Sequence, residues 1–135
     1  MTTLTEEAVP ELEFATGLPG FPEAHRFMLV RLGDADSPFS VLRSLDHAEL
    51  EFVVAPPGMF FPDYEPEIDD SVAGRLGLGS ADDALLLVIV TVAEQPANST
   101  ANLLGPIVVN RHTRSAAQAV LDAGRYATKE ALFPS

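Results

Sequence analysis

Five carboxylates stand at near-alternate positions, Asp63, Glu65, Glu67, Asp69 and Asp70, directly behind the aromatic cluster Phe60, Phe61 and Tyr64. Such a group could bind a hard cation or share acid and base work, and each chemistry makes a demand that can be checked. A calcium loop counted from Asp63 needs glycine at its sixth position, where this chain has Ile68, so an EF-hand is excluded and only a weaker cation site remains. Acid/base catalysis needs two carboxylates in a cleft with separated affinities for protons, which spacing alone does not supply. A small metal-assisted hydrolase using Asp63 to Asp70 is therefore an alternative reading. The simpler one is a solvated acidic rim. Aromatic side chains bordered by charge are also the composition of a protein-binding patch, an anchor inside a polar margin. On that reading Asp63, Tyr64, Glu65 and Glu67 meet a partner. At least one of Phe60 and Phe61 belongs to the core, and Tyr64 is the better surface candidate.

Other chemistry is sparse. His25, His47 and His112 are scattered, without the pairing that metal ligands need, and read as solvated. Gly74, Gly77 and Gly79 resemble a phosphate loop, but they follow a helical pattern instead of opening one and lack a Walker lysine, so they end a helix. Ser80 is followed by Ala81 and Asp82 and makes no nucleophile elbow. With no cysteine, disulfides, thiolate nucleophiles and zinc-thiolate sites are excluded, which fits a reducing compartment. No enzyme activity, metal or other cofactor is expected.

The elements that would position these residues are mostly strands. Glu11 to Ala15, Arg26 to Leu32, Pro38 to Leu45 and Leu50 to Val54 alternate or are rich in β-formers, and Pro56-Pro57-Gly58 stops the fourth. Ile68, Val72 and Leu76 recur every four residues and predict a helix over 67–76, with Asp69 and Asp70 near its start. Leu85 to Val92 is apolar at both alternating sets of positions, as in a strand covered on both faces. Between Thr100 and Asn110 two apolar runs meet at a Gly105-Pro106 joint. There Asn102 and Asn110 can bridge backbone groups, Gly105 supplies unusual dihedrals and Pro106 removes a donor. Thr113 to Leu121 is read as a further strand. Together these predict a mainly β, mostly antiparallel small barrel or sandwich, with a flexible segment over 1–10, a single domain over 11–126 and a C-terminal tail over 127–135; the stretch from Asp122 to Ser135 reads as polar and partly helical.

Length and composition agree with that plan. The chain has 135 residues, 47% hydrophobic and 21% charged, enough for one domain with a buried core. Its net charge of −12 is uneven: residues 1–70 carry the whole excess, while acids and bases balance over 71–135. An acidic half repels phosphate backbones, so direct nucleic-acid binding is not expected and a basic protein partner is favoured, unless the acidity serves solubility alone. Neither a signal peptide nor a run long enough to span a membrane is visible, which predicts a cytoplasmic protein with no membrane partner.

The ordered series Phe14-x-x-Gly17-Leu18-Pro19-Gly20-Phe21, Pro38-Phe39 with Leu42 and Ser44, Phe60-x-Pro62-Asp63-Tyr64, Val90-Thr91-Val92 and Thr100 to Asn110, with Gln118, Val120, Leu121 and Tyr126 beyond, resembles the flagellar assembly factor FliW family. The resemblance implies a β-barrel-like cytoplasmic protein, not an enzyme, that binds both the translational repressor CsrA and flagellin. Free flagellin would then displace CsrA, which silences flagellin translation. The antagonism would act by changing how CsrA holds RNA, not by filling its RNA site. This chain departs from many members in reading Leu-Gly-Pro at the joint, and in its Ala-Thr-Lys-Glu-Ala-Leu ending after Tyr126.

Overall fold

A computed structural model of the chain describes residues 11–15, 18, 21, 23–33, 37–47, 49–121 and 124–133. The segment 1–10, and Gly17, Pro19 and Gly20 of the motif series, lie outside the described residues.

Among the described residues nine strands and one α-helix follow in order: β1 (Glu11–Phe14), β2 (Arg26–Arg31), β3 (Ser40–Ser44), β4 (Glu51–Ala55), α1 (Asp70–Leu76), β5 (Ala84–Thr91), β6 (Thr100–Ala101), β7 (Ile107–Asn110), β8 (Ser115–Gln118) and β9 (Glu130–Ala131). Seven of them close a barrel in the order β4-β3-β2-β1-β8-β7-β5, with β5 returning to β4. β1 and β8 pair in parallel, Phe14 opposite Ala116, and every other pairing is antiparallel. β5 is the hinge of the topology. One edge pairs with β4 around Ile89, while the other pairs first with β7, Ala84 to Leu87, and then with β6 at Val90 and Thr91. β6 and β7 are thus two pieces of one edge interrupted by the Gly-Pro joint.

The period-two alternation of β5 divides its side chains between two environments. Leu85, Leu87 and Ile89 face the barrel interior with Phe14, Phe27, Leu42, Val54, Ile107 and Val109, where Phe14 and Phe27 meet edge to face at 5.2 Å. Ala84 and Leu86 face outward under α1, whose Val72 and Leu76 press on Val108, Ala117 and Ala119. Val88 and Val90 face outward under a third cluster containing Ala55, Leu103 and Leu132, closed over by Phe39, Phe60, Phe61, Tyr64 and Tyr126. The barrel is therefore filled by side chains. Truncating a fully buried ring such as Phe27 removes about 3–5 kcal/mol.

α1 is shorter than the four-residue periodicity predicts. Asp69 sits at the N-cap with extended backbone (ψ 141), so Glu67 and Ile68 fall before the helix, although Ile68 still packs on the helix cluster. At the other end Gly77 takes φ 70, and Leu78 N–H reaches Ala73 O at 2.9 Å, a left-handed cap that suits glycine. The partly helical reading of the tail is corrected. Glu130–Ala131 is a strand paired with β6, and Leu132 is buried in the third cluster, whose apolar demand decides the conformation where local polarity does not. Among the described residues no helix is long and apolar enough to cross a membrane.

A candidate protein-binding surface

After β4, Pro57 opens a single tight turn whose carbonyl accepts from Phe60 and Phe61 N–H. The chain then turns through Pro62 and Asp63, where Tyr64 N–H reaches Phe61 O at 3.0 Å, and continues without regular structure to α1. Along this path Asp63, Glu65 and Glu67 are exposed, while Phe60, Phe61 and Tyr64 are half-buried against the third cluster. Phe60 packs on Phe39 at 5.7 Å and on Phe133 at 5.8 Å.

Tyr64 is not the free surface anchor that its neighbours suggest. Its hydroxyl donates to Leu103 O at 2.6 Å and its ring stands edge to face on Tyr126 at 5.1 Å. Burial, reinforced by Tyr126, pushes the phenol well above its ordinary range, so it stays a donor at any working pH. Tyr126 in turn donates to Glu65 O at 3.3 Å, and the Arg125 guanidinium lies 5.4 Å over the Tyr126 ring. The two tyrosines clamp the backbone that carries the carboxylates.

The acidic segment borders an open groove of about 510 Å³. Glu67, Ile68, Asp69 and Asp70 line it together with Val120, Leu121, Arg125 and Tyr126. Val120 is 76% exposed, unusual for a branched aliphatic side chain. The carboxylates do not converge. Among the described residues no group of three or more His, Cys, Asp or Glu side chains could hold a metal ion, so the hydrolase alternative finds no site here. Within the described residues Asp63, Glu65 and Glu67 also take part in no ion pair, unlike Asp46 with Arg26 or Glu51 with Arg43.

The joint is built in the opposite way. Asn102 Oδ1 accepts from Leu104 N–H at 3.1 Å and Gly105 N–H at 2.9 Å, closing the turn between β6 and β7. Asn110 is buried and spans two elements: Oδ1 accepts from His112 and Thr113 N–H, and Nδ2 donates to Leu76 O at 2.7 Å, one of the carbonyls that a helix end leaves without an internal partner. Pro106 is fully buried and its carbonyl accepts from Ala119 N–H. Gly105 corrects the expectation of unusual dihedrals, since the left-handed glycines among the described residues are Gly33 and Gly77. Its smallness serves close approach instead. A Cβ there would stand 2.7 Å from Gln118 Nε2, which donates to Gly105 O at 2.8 Å.

Two of the histidines read as solvated have partners. His25 Nδ1 meets Phe14 O at 2.9 Å, and His112 Nε2 meets Asp83 Oδ1 at 3.1 Å. Asp83 also accepts from Gly79 and Ser80 N–H, and Asp46 accepts from His25 and Arg26 N–H. These hydrogen bonds, those from backbone N–H first, hold both carboxyls below the usual carboxylate range.

Comparison with known proteins decides between a generic small barrel and a specific one. The profile of the FliW protein family matches residues 1–132. The chain belongs to the FliW family. Flagellar assembly factor FliW of Anoxybacillus flavithermus is 42% identical over 123 residues, 91% of this chain and 83% of that protein. Its counterpart in Bacillus subtilis is 42% identical over 116 residues, 86% of this chain and 80% of its own length. A crystal structure of a flagellar assembly factor FliW superposes with a TM-score of 0.87 at 38% identity, covering 96% of this chain and 89% of that one. The FliW family match spans both the joint and the aromatic-acidic segment. Sequence reasoning missed the clamp of Tyr126 on Tyr64 and Glu65. Its only trace in the sequence was the position of Tyr126 at the end of the motif series.

Proposed function

We propose that this protein is a flagellar assembly factor that works in the cytoplasm as a protein-binding regulator. It sequesters the translational repressor CsrA and is relieved of it by flagellin, so that flagellin translation follows flagellin export. The observation that carries this reading is family membership across almost the whole chain. The shape of the surface supports a binding role: a side-chain-filled barrel displays Asp63, Glu65 and Glu67 on a path clamped by Tyr64, in no ion pair among the described residues.

Physically, an acidic domain docked on a basic RNA-binding protein lowers the local positive potential and repels phosphates without covering the RNA groove. Such an effect is screened by salt. Size-exclusion chromatography of the purified chain with CsrA, with flagellin and with both from the same cell tests the reading. Co-elution with each partner, and release of CsrA on adding flagellin, are expected. Absence of a complex with both partners overturns the proposal, and an affinity for CsrA that is flat between low and high ionic strength overturns its electrostatic part.

A further inference from the structure

The stretch from Gly124 to Phe133 crosses the outside of the barrel and touches each segment that frames the acidic surface. Ala127 O accepts from Leu103 and Leu104 N–H at 3.0 and 3.2 Å, Glu130 and Ala131 pair with Ala101 and Thr100, and Leu132 N–H reaches Ser99 O at 3.1 Å. Leu103 is the pivot. Its N–H is held by this stretch and its carbonyl takes the Tyr64 hydroxyl, so one residue links the C-terminal stretch to the acidic segment. Tyr126 closes the triangle through its ring against Tyr64 and its hydroxyl on Glu65 O.

We propose that the C-terminal stretch is a strap that presets the acidic surface, with Tyr126 as the positioning residue that holds the backbone of Asp63 to Glu67 in its binding geometry. This rests on the reading of that segment as a protein-binding surface. Carboxylates on a loose loop must be ordered when a partner arrives, and that ordering weakens association; carboxylates on a clamped backbone avoid most of the loss. The strap supplies the clamp at no cost in exposed charge, because it binds carbonyl oxygens and ring faces and leaves the carboxylates to solvent.

Tyr126→Phe tests the strap with little disturbance, since the ring stays and only the hydroxyl goes. In the free protein, amide hydrogen exchange over residues 60–69, including the Tyr64 N–H that bonds Phe61 O, is expected to quicken while the melting temperature stays within about 2 °C. Affinity for CsrA is expected to fall about three- to tenfold, the range for losing one hydrogen bond. In a Glu65→Gln, Glu67→Gln background the same change should cost less than about twofold more, because a residue acting through those carboxylates has nothing left to position. Tyr126→Ala, which also removes the ring, should enlarge the first two effects. If it unfolds the protein, the phenylalanine variant alone carries the test. Exchange over 60–69 that is unchanged in Tyr126→Phe overturns the proposal, as does an affinity loss of equal size in both backgrounds. Should the wild-type protein bind no CsrA, the functional reading falls, and the exchange measurement, made without a partner, still decides whether the strap holds the segment.

Discussion

Between Asn102 and Asn110 the polar side chains turn inward: Asn102 closes a turn, and Asn110 joins the end of α1 to the corner between β7 and β8. Between Asp63 and Glu67 the polarity is reversed, with the aromatic Tyr64 bound to the molecule and the charges left facing water. Both regions are rich in polar residues, so polarity alone does not separate structure from display. The separation comes from what each side chain meets. A neutral amide can be buried once its hydrogen bonds are met, whereas a carboxylate without a cation stays exposed because burying it unpaired costs several kcal/mol.

Substitution at Asn110 should mark that contrast most strongly. Asn110→Ala strips Leu76 O and the His112 and Thr113 N–H groups of a partner in a buried place and should destabilise the fold by about 3 kcal/mol, read from chemical denaturation. A loss below about 1 kcal/mol would mean that water replaces the amide and the region is less closed than described. Charge reversal on the other side should do the opposite: Glu65→Lys with Glu67→Lys should weaken CsrA binding by about tenfold or more, yet leave stability within about 0.5 kcal/mol. A large fall in melting temperature would move these residues from display to structure. Gly105→Ala should cost about 1 kcal/mol, since the added Cβ displaces the Gln118 carboxamide from Gly105 O and that end of the side chain can swing aside.

The smallest effect concerns pH. Asp46 and Asp83 have native affinities for protons lowered by hydrogen bonds from N–H groups, so their contribution to stability is present above the ordinary carboxylate range near pH 4 and is lost as pH falls through their lowered native values. Asp83→Asn should therefore flatten the acid limb of a stability-pH curve slightly. Unchanged steepness would remove Asp83 from the account.

Local pattern made much of this fold legible. The alternation of Arg26 to Arg31, the doubly apolar run of β5 and the two asparagines bordering a Gly-Pro joint each carry their structural role in a few adjacent residues. What stayed hidden depends on pairings across long separations. Tyr64 reads as a surface aromatic because Leu103, 39 residues on, is the group that takes its hydroxyl. The tail reads as polar because one residue, Leu132, does the burying while its neighbours stay exposed. Gly105 looked like a backbone requirement, and only the approach of Gln118 shows it to be a requirement for space.

The parallel seam between β1 and β8 has a consequence for biosynthesis. The ring stays open until residues near 116 have emerged from the ribosome, so the nascent chain exposes unpaired strand edges during most of its elongation. Folding should therefore complete late and in one step, and chains cut short before β8 should be prone to aggregation or degradation.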